Sequence, residues 1–295
     1  MAVHETIPAA DTPRDAYRLR AHEIWGGNDG ATDHIVVPGF EAYVYCMPHE
    51  GETGGDLRFV STCAAGQIVR FTLADISGHG PGASEAATRL RALIRKHINT
   101  PNPAKFARAL NWEFTRQAEA GGFATAIITT YFAPTDHLIV CNAGHPRPFL
   151  YHAFERRWEF FDEQSGSALP ASRAKETGIA NLPLGIIGPT DYPMSATHLE
   201  PGDIYVAYTD GFIEEPGEDA KPLGEEGLLD FVQSLDPESP DRIGPAVIDA
   251  HAARRAGRPA GDDLTILVLS HSATDPPGGA WARIQALGRL VGLID

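Results

Sequence analysis

Four acidic residues in this 295-residue chain, Asp56, Asp75, Asp210 and Asp262, stand at the margins of strongly apolar segments. Asp75 closes the run Gln67 to Ala74, in which Val69, Phe71, Leu73 and Asp75 share one side if the segment is a strand. An ionised carboxylate on an apolar face is costly unless a cation or several donors satisfy it. A turn follows at once in Asp75-Ile76-Ser77-Gly78-His79-Gly80, where small residues leave room for ions, water and a substrate. Asp210 ends a second such run in phase with Ile204, Val206 and Tyr208, and Asp262 opens a third in phase with Leu264, Ile266 and Val268. Asp56 closes the loop His49 to Asp56 at the expected start of a strand over Leu57 to Cys63. Hard divalent cations such as Mg²⁺ and Mn²⁺ prefer oxygen ligands, and Mg²⁺ keeps several waters, so a few aspartates suffice. Two such ions about 3.5–4 Å apart can lower the pKa of a shared water and orient it for in-line attack on a phosphoryl group.

Competing chemistries fit less well. There is no G-x-x-x-x-G-K-[ST] phosphate loop, no H-E-x-x-H zinc helix and no G-x-S-x-G nucleophile elbow. The 12 histidines are scattered; His79 and His145 each sit beside glycine in a turn and are expected to bond locally to backbone rather than to catalyse. Any one aspartate at a strand end is commonly a turn or cap residue. The formal net charge of -15 argues against a nucleic-acid or anionic-membrane surface, which would need clustered Lys and Arg. Cys46, Cys63 and Cys141 form no C-x-x-C pair and read as free buried thiols. No signal-peptide-like segment is present and no apolar run approaches the roughly 18 residues of a membrane span, so a cytoplasmic location is expected.

The elements that must position these acids follow from periodicity. Residues 1–35 read as an N-terminal arm, with a short helix around Arg14 to Ile24. Strands are expected over Ala42 to Met47, Leu57 to Cys63 and Ile68 to Ala74. Ala83, Ala86, Ala87, Leu90, Ile94 and Ile98 then recur at helical steps, with most of the Arg and Lys outside that stripe, as on a solvated face. A second helix begins at Asn102-Pro103 and ends at Gly121-Gly122. Strands return over Ala124 to Phe132, Leu138 to Asn142, Pro148 to His152 and Trp158 to Phe161; residues 162–192 read as loop. After the strand that ends at Asp210, a helix from Pro240 to Gly257 and a strand from Leu264 to Leu269 complete the domain. Paired helices between strand runs indicate α+β, with layered sheets covered by helices. The partition is therefore a 36–272 domain, followed by a 273–295 linker and short amphipathic helix.

Asp75-Ile76-Ser77-Gly78-His79-Gly80 resembles the D-V-S-G-H-G motif of bacterial PP2C-type (PPM) phosphatases in the SpoIIE/RsbU-like branch. Asn142-Ala143-Gly144-His145-Pro146, Tyr208-Thr209-Asp210-Gly211-Phe212-Ile213-Glu214 and Gly261-Asp262-Asp263-Leu264-Thr265 follow in the family's order, with Gly54-Gly55-Asp56 and Leu182-Pro183-Leu184-Gly185 also similar. The resemblance implies a four-layer αββα sandwich of two antiparallel sheets and a centre of two Mn²⁺ or Mg²⁺ ions. It also implies hydrolysis of phosphoserine or phosphothreonine on a protein. By motif, Asp56, Asp75, the Ile76 carbonyl, Asp210 and Asp262 are the expected metal ligands, with the four aspartates as the catalytic set. Asp263 belongs to the same set, with a supporting hydrogen bond as its expected part. His79 does not match the histidine of the eukaryotic D-G-H-G-G motif and is not carried over as a general acid, and Leu57-Arg58-Phe59 stands where many bacterial relatives place another acid.

The resemblance further implies a phosphorylated STAS-domain anti-sigma-factor antagonist or similar signalling protein as substrate. A phosphatase-like module that only binds such a partner is the alternative, and hydrolysis of a small phosphate ester a weaker one. Glu214 is expected to be structural or a distant substrate contact. A regulatory protein or a second copy of the chain is expected to dock on the N-terminal arm or on the tail around Trp281.

Overall fold

The structure is a computed structural model that describes residues 17–19, 24–49, 51–78, 81–117, 122–162, 165, 167–168, 180–217 and 220–272. Chain order begins with β1 (Tyr17–Arg18), β2 (Ile24–Asp29), β3 (Ala31–Val37), β4 (Phe40–Met47), β5 (Thr53–Cys63) and β6 (Ile68–Ile76). Helices α1 (Pro81–His97) and α2 (Pro103–Gln117) come next, then β7 (Ala124–Phe132), β8 (His137–Ala143), β9 (Phe149–His152), β10 (Arg157–Phe160), β11 (Ser167–Ala168), β12 (Ser195–His198) and β13 (Ile204–Tyr208). The described elements end with α3 (Gly211–Glu214), α4 (Gly224–Gln233), α5 (Ile243–Arg254) and β14 (Leu264–His271).

Among the described residues the strands form two seven-stranded sheets. One runs β1-β3-β4-β14-β13-β9-β10 and the other β11-β12-β8-β7-β6-β5-β2, antiparallel throughout except where β1 meets β3. Three apolar layers follow from strand alternation. Val60, Val69, Phe71, Leu73 and Ile127 of the second sheet meet Val44, Leu150, Tyr205, Ala207 and Leu267 of the first between the sheets. The opposite face of the second sheet, with Leu57, Phe59, Ala126 and Ile128, packs on Leu90, Ile94, Phe106 and Leu110 of α1 and α2. The opposite face of the first sheet, with Val206, Tyr208, Ile266 and Val268, packs on α3 to α5 through Phe212, Leu228, Val232 and Val247. The result is the expected αββα sandwich.

Local chemistry accounts for the helix ends. Asn102 Oδ1 accepts the Lys105 N–H at 2.9 Å, so the Asn-Pro start of α2 is a side-chain cap followed by proline in the first turn. Between the two helices, the buried Arg70 guanidinium donates to the Ile98 and Pro101 carbonyls at 3.2 and 2.6 Å and lies 4.6 Å over the Phe106 ring. Arg70 thereby ties the α1–α2 turn to the sheet, and its desolvation lowers its pKa to about 10.

Some expectations need correction. Residues 24–29 and 31–35 are strand, not arm: β2 is an edge of the second sheet, β3 pairs along β4, and β1 lies where the helix around Arg14 to Ile24 is expected. The glycines and polar residues of Ile24-Trp25-Gly26-Gly27-Asn28-Asp29 conceal an edge strand because only one flank is covered. Helices α3 and α4 and strand β12 are further elements that the periodicity does not reveal. The tail 273–295, with its expected helix and Trp281, and His79 with Gly80 lie outside the described residues. All three cysteines are free, with Cys46 and Cys141 buried.

Candidate metal centre

The acids gather at one end of the sandwich, where β5, β6, β13 and β14 terminate or begin. Asp56 lies inside β5 rather than at its start, because β5 begins three residues earlier at Thr53. Its parity with Val60 turns the side chain between the sheets, where it is 1% exposed. Asp56 Oδ2 accepts hydrogen bonds from two threonine hydroxyls of the opposite sheet, Thr209 Oγ1 at 2.8 Å and Thr265 Oγ1 at 2.7 Å. Thr209 Oγ1 in turn accepts the Thr265 N–H at 2.9 Å. Asp56 Oδ1 is buried with no hydrogen-bond partner among the described residues. An orphaned carboxylate oxygen in a dry interior demands a cation or a proton.

Asp75 is the penultimate residue of β6, opposite Thr125 on β7, and shares the inward parity of Val69, Phe71 and Leu73. Burial pushes its pKa up to about 10, assisted by repulsion from Asp56, Asp210, Asp262 and Asp263. Asp56 itself is pushed up to about 8, mainly by burial, with Asp263 and Asp210 adding to the shift and the two threonines opposing it. Asp210 lies just beyond β13 at the start of α3 and is pushed up to about 6 by burial first and then by Asp262 and Glu214. Asp56, Asp75 and Asp210 are thus harder to ionise, and Asp262 and Asp263 add to the negative charge around them. Such mutual repulsion is what a concentrated positive charge relieves.

Asp262 is exposed, and its Oδ1 accepts the Asp263 N–H at 2.8 Å. The residues in phase with it, Leu264, Ile266 and Val268, face the helices rather than the space between the sheets, as do Ile204, Val206 and Tyr208 before Asp210. Strand parity alone therefore points both acids away from Asp56; they join the site because each lies past its strand end, where the alternation no longer holds. Asp263 does different work. Its Oδ1 accepts the His49 N–H at 2.5 Å, and its Oδ2 accepts the Gly55 and Asp56 N–H groups at 2.5 and 3.2 Å. With both oxygens already holding backbone donors, it is a loop clasp that fixes Asp56 rather than a free ligand. A Cβ on Gly54 would stand 2.4 Å from Asp263 Oδ2, and one on Gly211 would stand 2.2 Å from the Asp263 carbonyl, so both glycines are needed for close approach. The Ile76 carbonyl borders the same loop, 3.3 Å from where a Gly55 Cβ would be.

The remaining motif residues are supports. Ser77 exchanges two hydrogen bonds with Phe123, its N–H donating to the carbonyl at 2.9 Å and its Oγ accepting the Phe123 N–H at 3.1 Å. Asn142 folds the turn it precedes, with Oδ1 accepting the His145 N–H at 2.8 Å and Nδ2 donating to the His145 carbonyl at 2.9 Å. The His145 ring is buried and its Nδ1 lies 2.9 Å from Thr125 Oγ1, beside Asp75's partner strand; desolvation holds its pKa down near 3, so it stays neutral. Glu214 is exposed and adds a neighbouring negative charge to Asp210. Thr209 and Thr265 are the site residues that reading acids and histidines overlooks. Both sit inside the Y-T-D-G and D-D-L-T motifs, and a buried hydroxyl flanking each acid is the signal that could have found them.

Among the described residues no group of three or more His, Cys, Asp or Glu side chains is gathered closely enough to hold an ion by itself. The residues nevertheless fit a hydrated hard cation: carboxylate and carbonyl oxygen only, one buried carboxylate oxygen without a partner, and an excess of negative charge. Mg²⁺ binding through one or two carboxylates plus waters requires no closed protein cage.

Residues 65–272 match the family profile described as stage II sporulation protein E (SpoIIE). The chain belongs to the SpoIIE family. The matched stretch contains Asp75, Asp210 and Asp262 but not Asp56, which the two threonine bonds and the Asp263 clasp attach to the same place. The SpoIIE-family chain is 24% identical over 179 residues to the phosphoserine phosphatase RsbU of Bacillus subtilis, which covers 57% of this chain and 48% of that protein. It thus spans about half the length of the curated relative it matches. In fold it is similar to the SiaA PP2C domain of Pseudomonas aeruginosa (17% identity, TM-score 0.64, covering 78% of this chain and 86% of that one). It is also similar to RsbX crystallised with magnesium (16% identity, TM-score 0.57, covering 82% and 100%). The αββα arrangement of two sheets is therefore the PP2C fold.

Proposed function

We propose that this chain is a metal-dependent protein serine/threonine phosphatase. The observation that carries the reading is the buried, unpartnered Asp56 Oδ1, on an acid whose pKa rises together with those of Asp75 and Asp210. Asp56, Asp75, Asp210, Asp262 and the Ile76 carbonyl are the groups that would hold two Mn²⁺ or Mg²⁺ ions. When bound, such ions polarise phosphoryl oxygens and lower the pKa of water. The protein's own contribution is positional: Thr209 and Thr265 orient Asp56 and favour its ionised form, Asp263 fixes the loop behind it, and Ser77 anchors the turn after Asp75. RsbU's name as a phosphoserine phosphatase and the magnesium in RsbX support the same assignment.

The substrate we propose is a phosphorylated signalling protein, with a phosphorylated STAS-domain antagonist as its type, in the cytoplasm. Among the described residues no helix is long and apolar enough to cross a membrane. The test is Mn²⁺-dependent hydrolysis of p-nitrophenyl phosphate and of a phosphoserine peptide by the wild type and by Asp75→Ala and Asp210→Asn. Activity in the wild type and its loss in both variants is the expected result. An inactive wild type at saturating Mn²⁺ that still binds a phosphoprotein would favour a binding module, and activity surviving in Asp75→Ala would refute this placement of the centre.

A further inference from the structure

The outer face of α1 and α2 has a charge opposite to that of the rest of the molecule. Residues 81–117 carry seven Lys and Arg against two Glu, in a chain of net charge -15. The two glutamates are spent locally, Glu85 on Arg89 at 2.9 Å and Glu113 on Lys96 and His97 at 2.7 Å. Along α2, Lys105, Arg108, Trp112 and Arg116 are all exposed and fall at steps of three and four residues, which places them on one stripe. Lys105, Arg108 and Arg116 make no ion pair among the described residues, and Arg116 lies 5.6 Å over the Trp112 ring.

Beside this stripe is an apolar patch. Trp112 is 53% exposed, Ile186 45% and Ile187 37%, and these are three of the five exposed large hydrophobic residues among those described. The loop that carries the isoleucines is held against α2 by one buried side chain. Asn111 Nδ2 donates to the Ile187 and Gly188 carbonyls at 2.8 and 2.9 Å, and Asn111 Oδ1 accepts the Gly185 N–H at 2.9 Å. A Cβ on Gly188 would lie 3.6 Å from the Trp112 ring. An exposed Trp flanked by Arg on a preorganised surface has the composition of an interface anchor, since little ordering cost remains to be met on binding.

Topology puts this surface next to the metal centre. Helix α1 follows the Asp75 motif and α2 leads into β7, and Ile76 at the end of β6 pairs with Ala124 at the start of β7. Ala124 also exchanges backbone hydrogen bonds with Leu184 at 2.7 and 2.9 Å, one residue from Gly185. Trp112 and Arg116 therefore lie in the half of α2 nearest the site, with Trp112 roughly 8 Å of helix axis from Gln117.

We propose that the Arg108–Trp112–Arg116 stripe with Ile186 and Ile187 is the docking surface for the phosphoprotein substrate, and that the substrate offers an acidic, partly apolar face to it. The inference rests on the phosphatase reading. A protein partner fits better than an anionic membrane because the remainder of this chain carries enough negative charge to repel such a surface.

The test uses α-casein, an acidic phosphoprotein, as the probe, with Arg108→Glu/Arg116→Glu and Trp112→Ala as variants whose side chains lie on the surface. Binding of dansylated casein by anisotropy, which needs no turnover, is expected to weaken at least tenfold in the double variant. In the wild type it is expected to weaken between 50 and 300 mM NaCl, and in the double variant to lose that salt dependence. KM for phosphocasein rises in parallel in both variants, while kcat/KM for p-nitrophenyl phosphate stays within twofold. Unchanged casein binding and KM in variants that melt like the wild type would overturn the proposal. So would wild-type binding to phosphatidylserine vesicles through the same residues without binding to casein. If the wild type fails to hydrolyse p-nitrophenyl phosphate with Mn²⁺, the phosphatase reading falls, and the casein anisotropy alone still decides whether this face docks an acidic protein.

Discussion

Replacing Asp56 by Asn should make the metal-free protein more stable while destroying its use of metal. In the folded chain the Asp56 carboxyl is pushed up to about 8 from an ordinary 3.8, chiefly by burial. Between those two values the folded state holds a proton that the unfolded state has released, so metal-free stability falls as pH rises through that window. At about pH 7.5 the full difference corresponds to about 5 kcal/mol, a ceiling that relaxation and solvent entry reduce. Asn is neutral at every pH, keeps an oxygen acceptor for Thr209 and Thr265, and removes the first-ranked charge repulsion acting on Asp75. A net gain of about 2 kcal/mol is expected, which for a domain of this size raises Tm by about 4–8 °C. Calorimetry in EDTA and in saturating Mn²⁺ across about pH 5 to 9 measures it. The wild type should gain Tm with Mn²⁺ and lose it with rising pH in EDTA; Asp56→Asn should show the higher EDTA Tm at pH 7.5, a flatter pH response, no Mn²⁺ shift and no hydrolysis. A lower EDTA Tm for Asp56→Asn, or a retained Mn²⁺ shift, would refute the claim that this buried acid is held uncompensated for a cation.

Thr209→Val and Thr265→Val each remove a hydroxyl donor to Asp56 Oδ2, an interaction of about 1.5–3 kcal/mol when the acceptor is charged. Each variant should need about tenfold more Mn²⁺ for half-maximal activity, with kcat at saturating Mn²⁺ largely kept; an unchanged Mn²⁺ midpoint would show that the threonines merely pack. Asp263→Ala strands three backbone N–H groups and should cost about 3 kcal/mol in urea unfolding. Gly54→Ala, whose Cβ would stand 2.4 Å from the Asp263 carboxylate, should lose activity through the same loop.

The sequence alone determined the elements with strong periodicity and the identity of the acids. The α1 and α2 helices, the β7 and β8 strands and the apolar runs before Asp75 and Asp210 are local patterns, and a buried face repeating every two or every 3.6 residues is written directly in residue order. The ordered motifs were likewise sufficient to imply the PP2C arrangement. What residue order could not supply was any relation across the two sheets. Edge strand β2 is polar on its uncovered flank and so has no periodic signature, and α3 is a single turn after Asp210. The division of labour between Asp262 and Asp263 was equally hidden, because adjacent residues of like chemistry are separated only by which backbone donors the fold brings to them. Thr209 and Thr265 reach Asp56 across sequence separations of 153 and 209 residues. Only closure of one sheet over the other places those hydroxyls on one carboxylate oxygen and leaves the second oxygen bare.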